Sequence, residues 1–361
     1  MKKNCHNETN IEIINNNYAF KIPKNDAEKA RKLLSSRKLL DPTRKTLRDE
    51  NFVYFPIIFS PDLKFSIPNG KIVKKSLPKN KRFISVKNAL KAVVPKEFEH
   101  LLPSSWDQIG NVIIVEIKKE LENYKPLIGN ALLITHPHIV AVYEKVSPVK
   151  GTIRTRTLRL IAGKPISEVI HQEYGIKICV DIHNTYFSPR LSLEHFLLAS
   201  KIKEKERIAD LFTGVGSFPL HIAKNTDAEI YAIDINAKAI DCLKKSIELN
   251  QSKLKGEIIP IVEDAKEWCE KQKPLYFDRI IMNHPSQSYE FLEYALRILK
   301  PNGILHFYSF EPISQWHWGI LKKLQKKINQ HGREINEVIN IRKVRQYSPE
   351  EYHISCSLRI K

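Results

Sequence analysis

Arg207–Asn250, RIADLFTGVGSFPLHIAKNTDAEIYAIDINAKAIDCLKKSIELN, decides the fold, because it specifies a strand, a glycine turn, a helix, a second strand and an acid in that order. Ile208, Ala209 and Leu211 make a short apolar strand. Gly214 and Gly216 then let the backbone turn tightly and approach a ligand where a Cβ would clash. Phe218, Leu220, Ile222 and Ala223 continue as a helix. The second strand, Glu229 to Ile233, ends at Asp234, 18 residues after Gly216, where an acid meets ribose hydroxyls in a doubly wound sheet. Asn236 is placed to cap the next helix, whose Ile240, Leu243 and Ile247 recur at helical spacing. A glycine pair alone also suits an ordinary strand-to-helix turn; the acid is what favours a cradle for a nucleoside-bearing cofactor.

Downstream the same alternation continues. A third strand, Glu257–Val262, ends at Asp264, and a fourth, Phe277–Met282, ends at Asn283, His284 and Pro285. Leu299–Gly303 is expected to turn, Ile304–Phe310 to form a strand, and Ser314–Gly332 a helix, with closing segments Val338–Val344 and Tyr352–Ile360. Ligands of open α/β sheets bind at the carboxyl ends of the strands, so Asp234, Asp264 and Asn283 are expected to face one crevice. The Asn283 amide offers a donor and an acceptor, which suits a planar base edge; an Asn two residues before a proline also starts turns.

Upstream, the first 17 residues are polar and asparagine-rich, a loose tail. Tyr18–Ile22 reads as a strand, Asp26–Arg37 as a helix capped by Asn25 or Asp26, and Asn51–Phe59 as an aromatic-rich strand. Asn69–Lys96 is a lysine-rich linker interrupted by Pro78, equally suited to a solvated face and to a phosphate track. From Phe83 to Val180, strands such as Asn111–Ile117 and Ile139–Tyr143 alternate with helical stretches. Thr152–Ile161 sets Arg154 and Arg156 on one face. After the strand Gly175–Asp181, Pro189 marks a turn and Ser192 a cap for a helix carrying Glu194. The expected organisation is α/β throughout: a small amino-terminal α+β domain (1–68), a basic linker with a second α/β domain (69–182), and a Rossmann-like domain (183–361).

The 361 residues carry 59 Lys and Arg against 40 Asp and Glu, a formal charge of +19. Such a balance points to a polyanionic partner, nucleic acid foremost, against the alternative of lysine enrichment on solvated faces. Cys5, Cys179, Cys242, Cys269 and Cys356 are scattered, with no zinc spacing, so no metal and a reduced cytoplasm are expected. No apolar run approaches the roughly 18 residues of a membrane span, and MKKNCHNETN lacks the apolar stretch of a signal peptide. A monomer with no membrane attachment is the expectation.

In D-L-F-T-G-V-G, Phe212 and Thr213 stand where a nicotinamide-binding turn has its first glycine. The loop is similar instead to that of class I methyltransferases that use S-adenosylmethionine. The ordered set Y-F-S-P-R-L-S-L-E-H (Tyr186–His195), D-L-F-T-G-V-G-S-F, Y-A-I-D-I-N, N-H-P-S-Q-S-Y-E-F-L (Asn283–Leu292) and Y-S-P-E-E-Y-H (Tyr347–His353) resembles the archaeal and eukaryotic type of tRNA guanosine-37 N1-methyltransferase over nearly the whole chain. The resemblance implies a class I methyltransferase domain preceded by an α/β domain and an amino-terminal domain that helps recognise folded tRNA. It places the catalytic acid on Glu194, the catalytic arginine on Arg154, with Arg156 a neighbouring register, and the catalytic asparagine on Asn283. Cofactor contacts carry over to His195, Asp234, Ile235, Asp264, Ala265 and Asn283, with Phe212 and Gly214 lining the pocket. His284 departs from the leucine or proline often found there. Sister enzymes methylate a tricyclic guanosine at carbon or transfer an aminocarboxypropyl group, and a catalytically silent RNA-binding protein of the same fold is the third alternative.

Overall fold

The computed structural model describes residues 18–37, 39–41, 44–57, 67–78, 86–91, 94–146 and 157–361. They divide into two compact units: the first takes the described residues up to 106 with 112–146 and 158–165, the second takes 107–111, 157 and 166–361.

The first unit opens with a four-stranded antiparallel sheet. Its strands are β1 (Tyr18–Pro23), β2 (Leu47–Arg48), β3 (Phe52–Pro56) and β4 (Lys71–Lys74), in the order β2-β3-β1-β4. Phe20 and Ile22 alternate onto the face covered by α1 (Ala27–Ser36), where Ala30 and Leu34, one helical turn apart, meet Val53 and Phe55. The expected helix is present but shorter. A 3-10 turn at Lys24–Asp26 precedes it, and Asp26 occupies the cap position without a side-chain bond. The strand expected over Asn51–Phe59 spans Phe52–Pro56, and its last two positions lie outside the described residues.

After α2 (Val86–Lys91) and β5 (Trp106–Ile109) come β6 (Val112–Val115), α3 (Lys125–Thr135), β7 (Ala141–Lys145) and β8 (Leu158–Gly163). β6 and β7 pair in parallel across α3, and β8 returns antiparallel to β7. Ile128, Ala131 and Leu132 of α3 close this core on Ile113, Val115 and Val142. Of the strand expected over Thr152–Ile161, positions 152–156 lie outside the described residues, Arg154 and Arg156 among them.

From residue 166 the second unit continues as a hairpin, β9 (Glu168–Glu173) and β10 (Ile176–Asp181). Its two-residue turn places Tyr174 at φ 43° and Gly175 at φ 81°, the left-handed pair that matches the twist of tight hairpins. The hairpin lies on α6 (Ala237–Asn250). Cys179 N donates to Ser246 Oγ at 2.8 Å, Lys177 N donates to Asn250 Oδ1, and Asn250 Nδ2 donates back to Lys177 O. These bonds to groups some 70 positions downstream join it to the Rossmann-like unit, whose expected start is at 183.

That unit continues with α4 (Ser192–Ala199), β11 (Arg207–Asp210), α5 (Ser217–Asn225), β12 (Glu229–Asp234), β13 (Glu257–Val262), α7 (Ala265–Lys271), β14 (Phe277–Met282), α8 (Leu292–Ile298), β15 (Leu299–Pro312), α9 (Trp316–Gln330), β16 (Ile335–Gln346) and β17 (Glu351–Ile360). The seven strands run β13-β12-β11-β14-β15-β17-β16, parallel through β15, with β17 antiparallel to both its neighbours. Alternate residues feed two cores. Ile208, Ile230 and Ile281 meet Leu198, Phe218 and Ile222 on one face, while Ala209, Ile280 and Leu305 meet Leu296, Ile320 and Leu324 on the other. Each fully buried Leu, Ile or Phe contributes about 1.5–3 kcal/mol.

The expected turn at Leu299–Gly303 is instead part of β15. Leu299 pairs with Phe277 and Ile304 with Arg279, and the irregularity between them absorbs Asn302 at φ 61°. Pro301-Asn302-Gly303 thus bends the backbone locally, but pairing on both sides keeps it in the sheet. Ser192 starts α4 without capping it, since Leu191 holds the cap position.

Candidate active site

The order of the sheet reverses direction between β11 and β14, and at such a switch point the loops leaving neighbouring strands part to leave a crevice. Gly214 and Gly216 stand at φ 56° and 83°. A Cβ at Gly216 would lie 2.2 Å from Leu243 Cδ1, so this glycine serves close helix packing; a Cβ at Gly214 would meet only Tyr186 O, at an ordinary contact distance of 3.8 Å. Asp234, at the end of β12, holds the loop. Gly214 N donates to its Oδ2 at 2.7 Å and Asn236 N to its Oδ1 at 2.9 Å. Burial pushes its carboxyl above the ordinary range, against those two amides. Asn236 caps α6 as expected, accepting from Lys238 N at 3.0 Å.

Asp264 ends the loop after β13 and caps α7, its Oδ1 accepting from Lys266 N and Glu267 N. After β14, Asn283-His284-Pro285 enters a turn tied down by Ser288 Oγ, which donates to Met282 O and His284 O. Phe212 packs on His284 and edge-on to Phe291, with ring centroids 5.0 and 4.8 Å apart.

These loops enclose a cavity of about 910 Å³, counting its open mouth. Seven of the residues expected to bind a cofactor line it: Phe212, Gly214, Asp234, Ile235, Asp264, Ala265 and Asn283. Residues not singled out as site residues join them. Tyr186 and Leu191 come from the segment before α4, Gln287 and Phe291 from the loop after β14, and Phe310, Arg345 and His353 from β15, β16 and β17. Phe310 stacks on Tyr347 at 3.8 Å and lies 5.5 Å from the His353 ring. The signal for Arg345 and His353 was weak because they reach the cavity only through the antiparallel return of β17.

Glu194 and His195 do not line the cavity. Glu194 is buried; Tyr308 Oη donates to its Oε1 at 2.8 Å and the Arg342 guanidinium pairs with Oε2. The Tyr308 ring lies 5.7 Å from that of His353, so Glu194 sits one aromatic layer behind the wall. Burial raises the Tyr308 hydroxyl and lowers the Arg342 guanidinium. His195, the next residue on α4, points elsewhere: its Nδ1 is 2.9 Å from Glu173 Oε2. His195 is expected to contact the cofactor; in this structure it makes a buried pairing with Glu173 of β9.

The methyltransferase domain of the TRM5/TYW2 family matches residues 169–336, the TYW2 N-terminal domain residues 86–166, and the tRNA methyltransferase 5 N-terminal domain residues 19–64. The tRNA (guanine(37)-N(1))-methyltransferase Trm5b of Pyrococcus abyssi is 36% identical over 95% of this chain and 98% of its own. The tRNA(Phe) (4-demethylwyosine(37)-C(7)) aminocarboxypropyltransferase of Pyrococcus horikoshii is 27% identical over 76% of this chain and 96% of its own. Among solved structures, a complex of aTrm5 with tRNALeu superposes with a TM-score of 0.68 at 31% identity, over 95% of this chain and 99% of the other.

Proposed function

We propose, for a chain that belongs to the TRM5/TYW2 methyltransferase family, that it transfers the methyl group of S-adenosylmethionine to N1 of guanosine 37 of tRNA, beside the anticodon. The observation that carries this reading is the convergence of Asp234, Asp264 and Asn283 on one cavity at the carboxyl ends of parallel strands. The amino-terminal match favours it over the sister reaction: the tRNA methyltransferase 5 N-terminal domain matches residues 19–64, and the guanine-N1 relative matches 95% of the chain while the aminocarboxypropyl relative matches 76%.

The residues suit the cofactor. Each Asp234 oxygen takes one backbone N–H and retains a lone pair for a ribose diol. Asp264 engages its cap through Oδ1 and keeps Oδ2 for an exocyclic amine, and Phe212, Ile235 and Phe291 offer apolar faces to a purine. When bound, S-adenosylmethionine supplies an electrophilic methyl on a sulfonium.

Guanine N1 carries a proton near neutral pH, so the protein has to take it. Glu194 is the proposed base, released from Arg342 to accept the proton while Tyr308 keeps its hold on the other oxygen. As the proton leaves, charge grows on O6, where a guanidinium stabilises the transition state more than the ground state. Arg154 has that role by resemblance, and Arg345 brings a second guanidinium to the cavity wall. Asn283 holds the base edge in line for attack.

No helix among the described residues is long and apolar enough to cross a membrane. Among the described residues Cys179, Cys242, Cys269 and Cys356 are buried free thiols, which suits a reducing compartment. The test is to incubate the chain with methyl-labelled S-adenosylmethionine and unmodified tRNA and to identify the nucleoside by mass spectrometry. N1-methylguanosine at position 37 is the expected product; a tricyclic or aminocarboxypropyl product selects the sister reaction, and no product leaves RNA binding alone.

A further inference from the structure

Away from the cavity, three elements of the second unit direct imidazoles at one carboxylate. Glu173 closes β9 and is 3% exposed; His195 of α4 and His221 of α5 are 4% and 1% exposed. His195 Nδ1 and His221 Nε2 approach the same oxygen, Glu173 Oε2, at 2.9 and 3.3 Å, and the three ligand atoms lie within 4.8 Å of one another. The other oxygen, Oε1, is buried and has no hydrogen-bond partner, with His171 Nε2 at 3.7 Å. Gly110 N donates to His171 Nδ1 at 3.1 Å, so in the neutral ring Nε2 carries the proton and faces Oε1.

We infer that Glu173, His195 and His221 form a buried site for a divalent transition cation of the zinc class, with His171 orienting the carboxylate from behind. Donor atoms about 2.0–2.2 Å from a tetrahedral zinc are separated by about 3.3 Å, and the two edges of this triangle that meet at Glu173 Oε2 are 2.9 and 3.3 Å. Oε1 supplies the fourth donor as the second arm of a bidentate carboxylate. Two imidazoles and one carboxylate are a donor set that zinc accepts, and the His171 Nε2 faces that carboxylate from 3.7 Å, within reach of an outer-shell bond to it.

Charge argues the same way. The Glu173 carboxylate is buried, and its partners within ion-pair distance are imidazoles. A bound cation offsets the cost of that buried charge. It also ties hairpin β9–β10 to α4, which carries Glu194, and to α5, which starts at the glycine loop. No motif spacing announced the site, because its ligands come from three separate elements.

The test uses the full chain. Zinc is measured by inductively coupled plasma mass spectrometry after purification, and chelator-treated protein is titrated with zinc sulfate while unfolding is followed by differential scanning fluorimetry. About one zinc per chain is expected, with a rise in melting temperature that saturates at that stoichiometry. Glu173→Gln and His221→Gln are expected to abolish the saturable uptake, and His171→Ala to weaken it roughly 10–100-fold. Wild-type protein that takes up no zinc and shows no shift overturns the site, whatever the variants do; so does full uptake by folded Glu173→Gln and His221→Gln.

Discussion

At the scale of single residues, Glu194 and Asp210 make different demands. Glu194 meets Tyr308 and Arg342 in the described structure and is the proposed base. Glu194→Gln keeps the shape and removes the proton acceptor, so single-turnover methyl transfer is expected to fall by roughly 10²–10⁴-fold, with cofactor and tRNA affinities retained. An unchanged rate would remove Glu194 from that role. Asp210, beneath the glycine loop, is fully buried, and burial pushes its carboxyl up to about 7, with repulsion from Asp234 adding to the rise. A raised carboxyl contributes stability that is complete below its unfolded value near 3.8 and is lost as the pH climbs through 7. Asp210→Asn is therefore expected to gain on the wild type by roughly 2–4 kcal/mol between pH 4 and pH 8. Urea unfolding at both values would show it, and an advantage that does not change with pH would refute it. That Asp210 precedes the loop was legible in the sequence; its shifted proton affinity was not, since that depends on how completely two cores close around the strand end.

At the scale of elements, the two loop glycines separate. Both hold left-handed angles, but only Gly216 is pressed against a neighbour, Leu243. Gly216→Ala is expected to destabilise the second unit by roughly 1–3 kcal/mol, read as a lower urea midpoint. Gly214→Ala meets no close neighbour and is expected to cost stability less but cofactor affinity more, as isothermal titration would measure. Equal effects of the two substitutions on both properties would refute this division. The motif D-L-F-T-G-V-G announced that both glycines mattered, and β12, β13 and β14 ended where their apolar runs stopped. Elements whose local cues conflicted with their pairing were harder to read. Pro301-Asn302-Gly303 signals a turn, yet β14 and β17 hold it within a strand. The β9–β10 hairpin is assigned to its unit by Ser246 and Asn250, residues far along the chain.

At the scale of the whole molecule, the charge of +19 sets the response to salt. Binding of tRNA releases counterions, so log affinity is expected to fall linearly with log salt, by roughly 10-fold or more between about 50 and 200 mM. A flat response in a filter-binding assay would contradict a phosphate-tracking surface. The sequence by itself determined the alternation of strand and helix, the glycine loop, the acids at the strand ends and the basic balance, because these rest on periodicity, turn chemistry and composition, which are local or additive. Only the tertiary structure decided that Arg345 and His353 join the cavity, that Glu194 stands behind its wall with Tyr308 and Arg342, and that His195 turns to Glu173 and His221. Each of these depends on which distant strands pair and on which buried polar groups then have to find partners, and neither is carried by any one stretch of sequence.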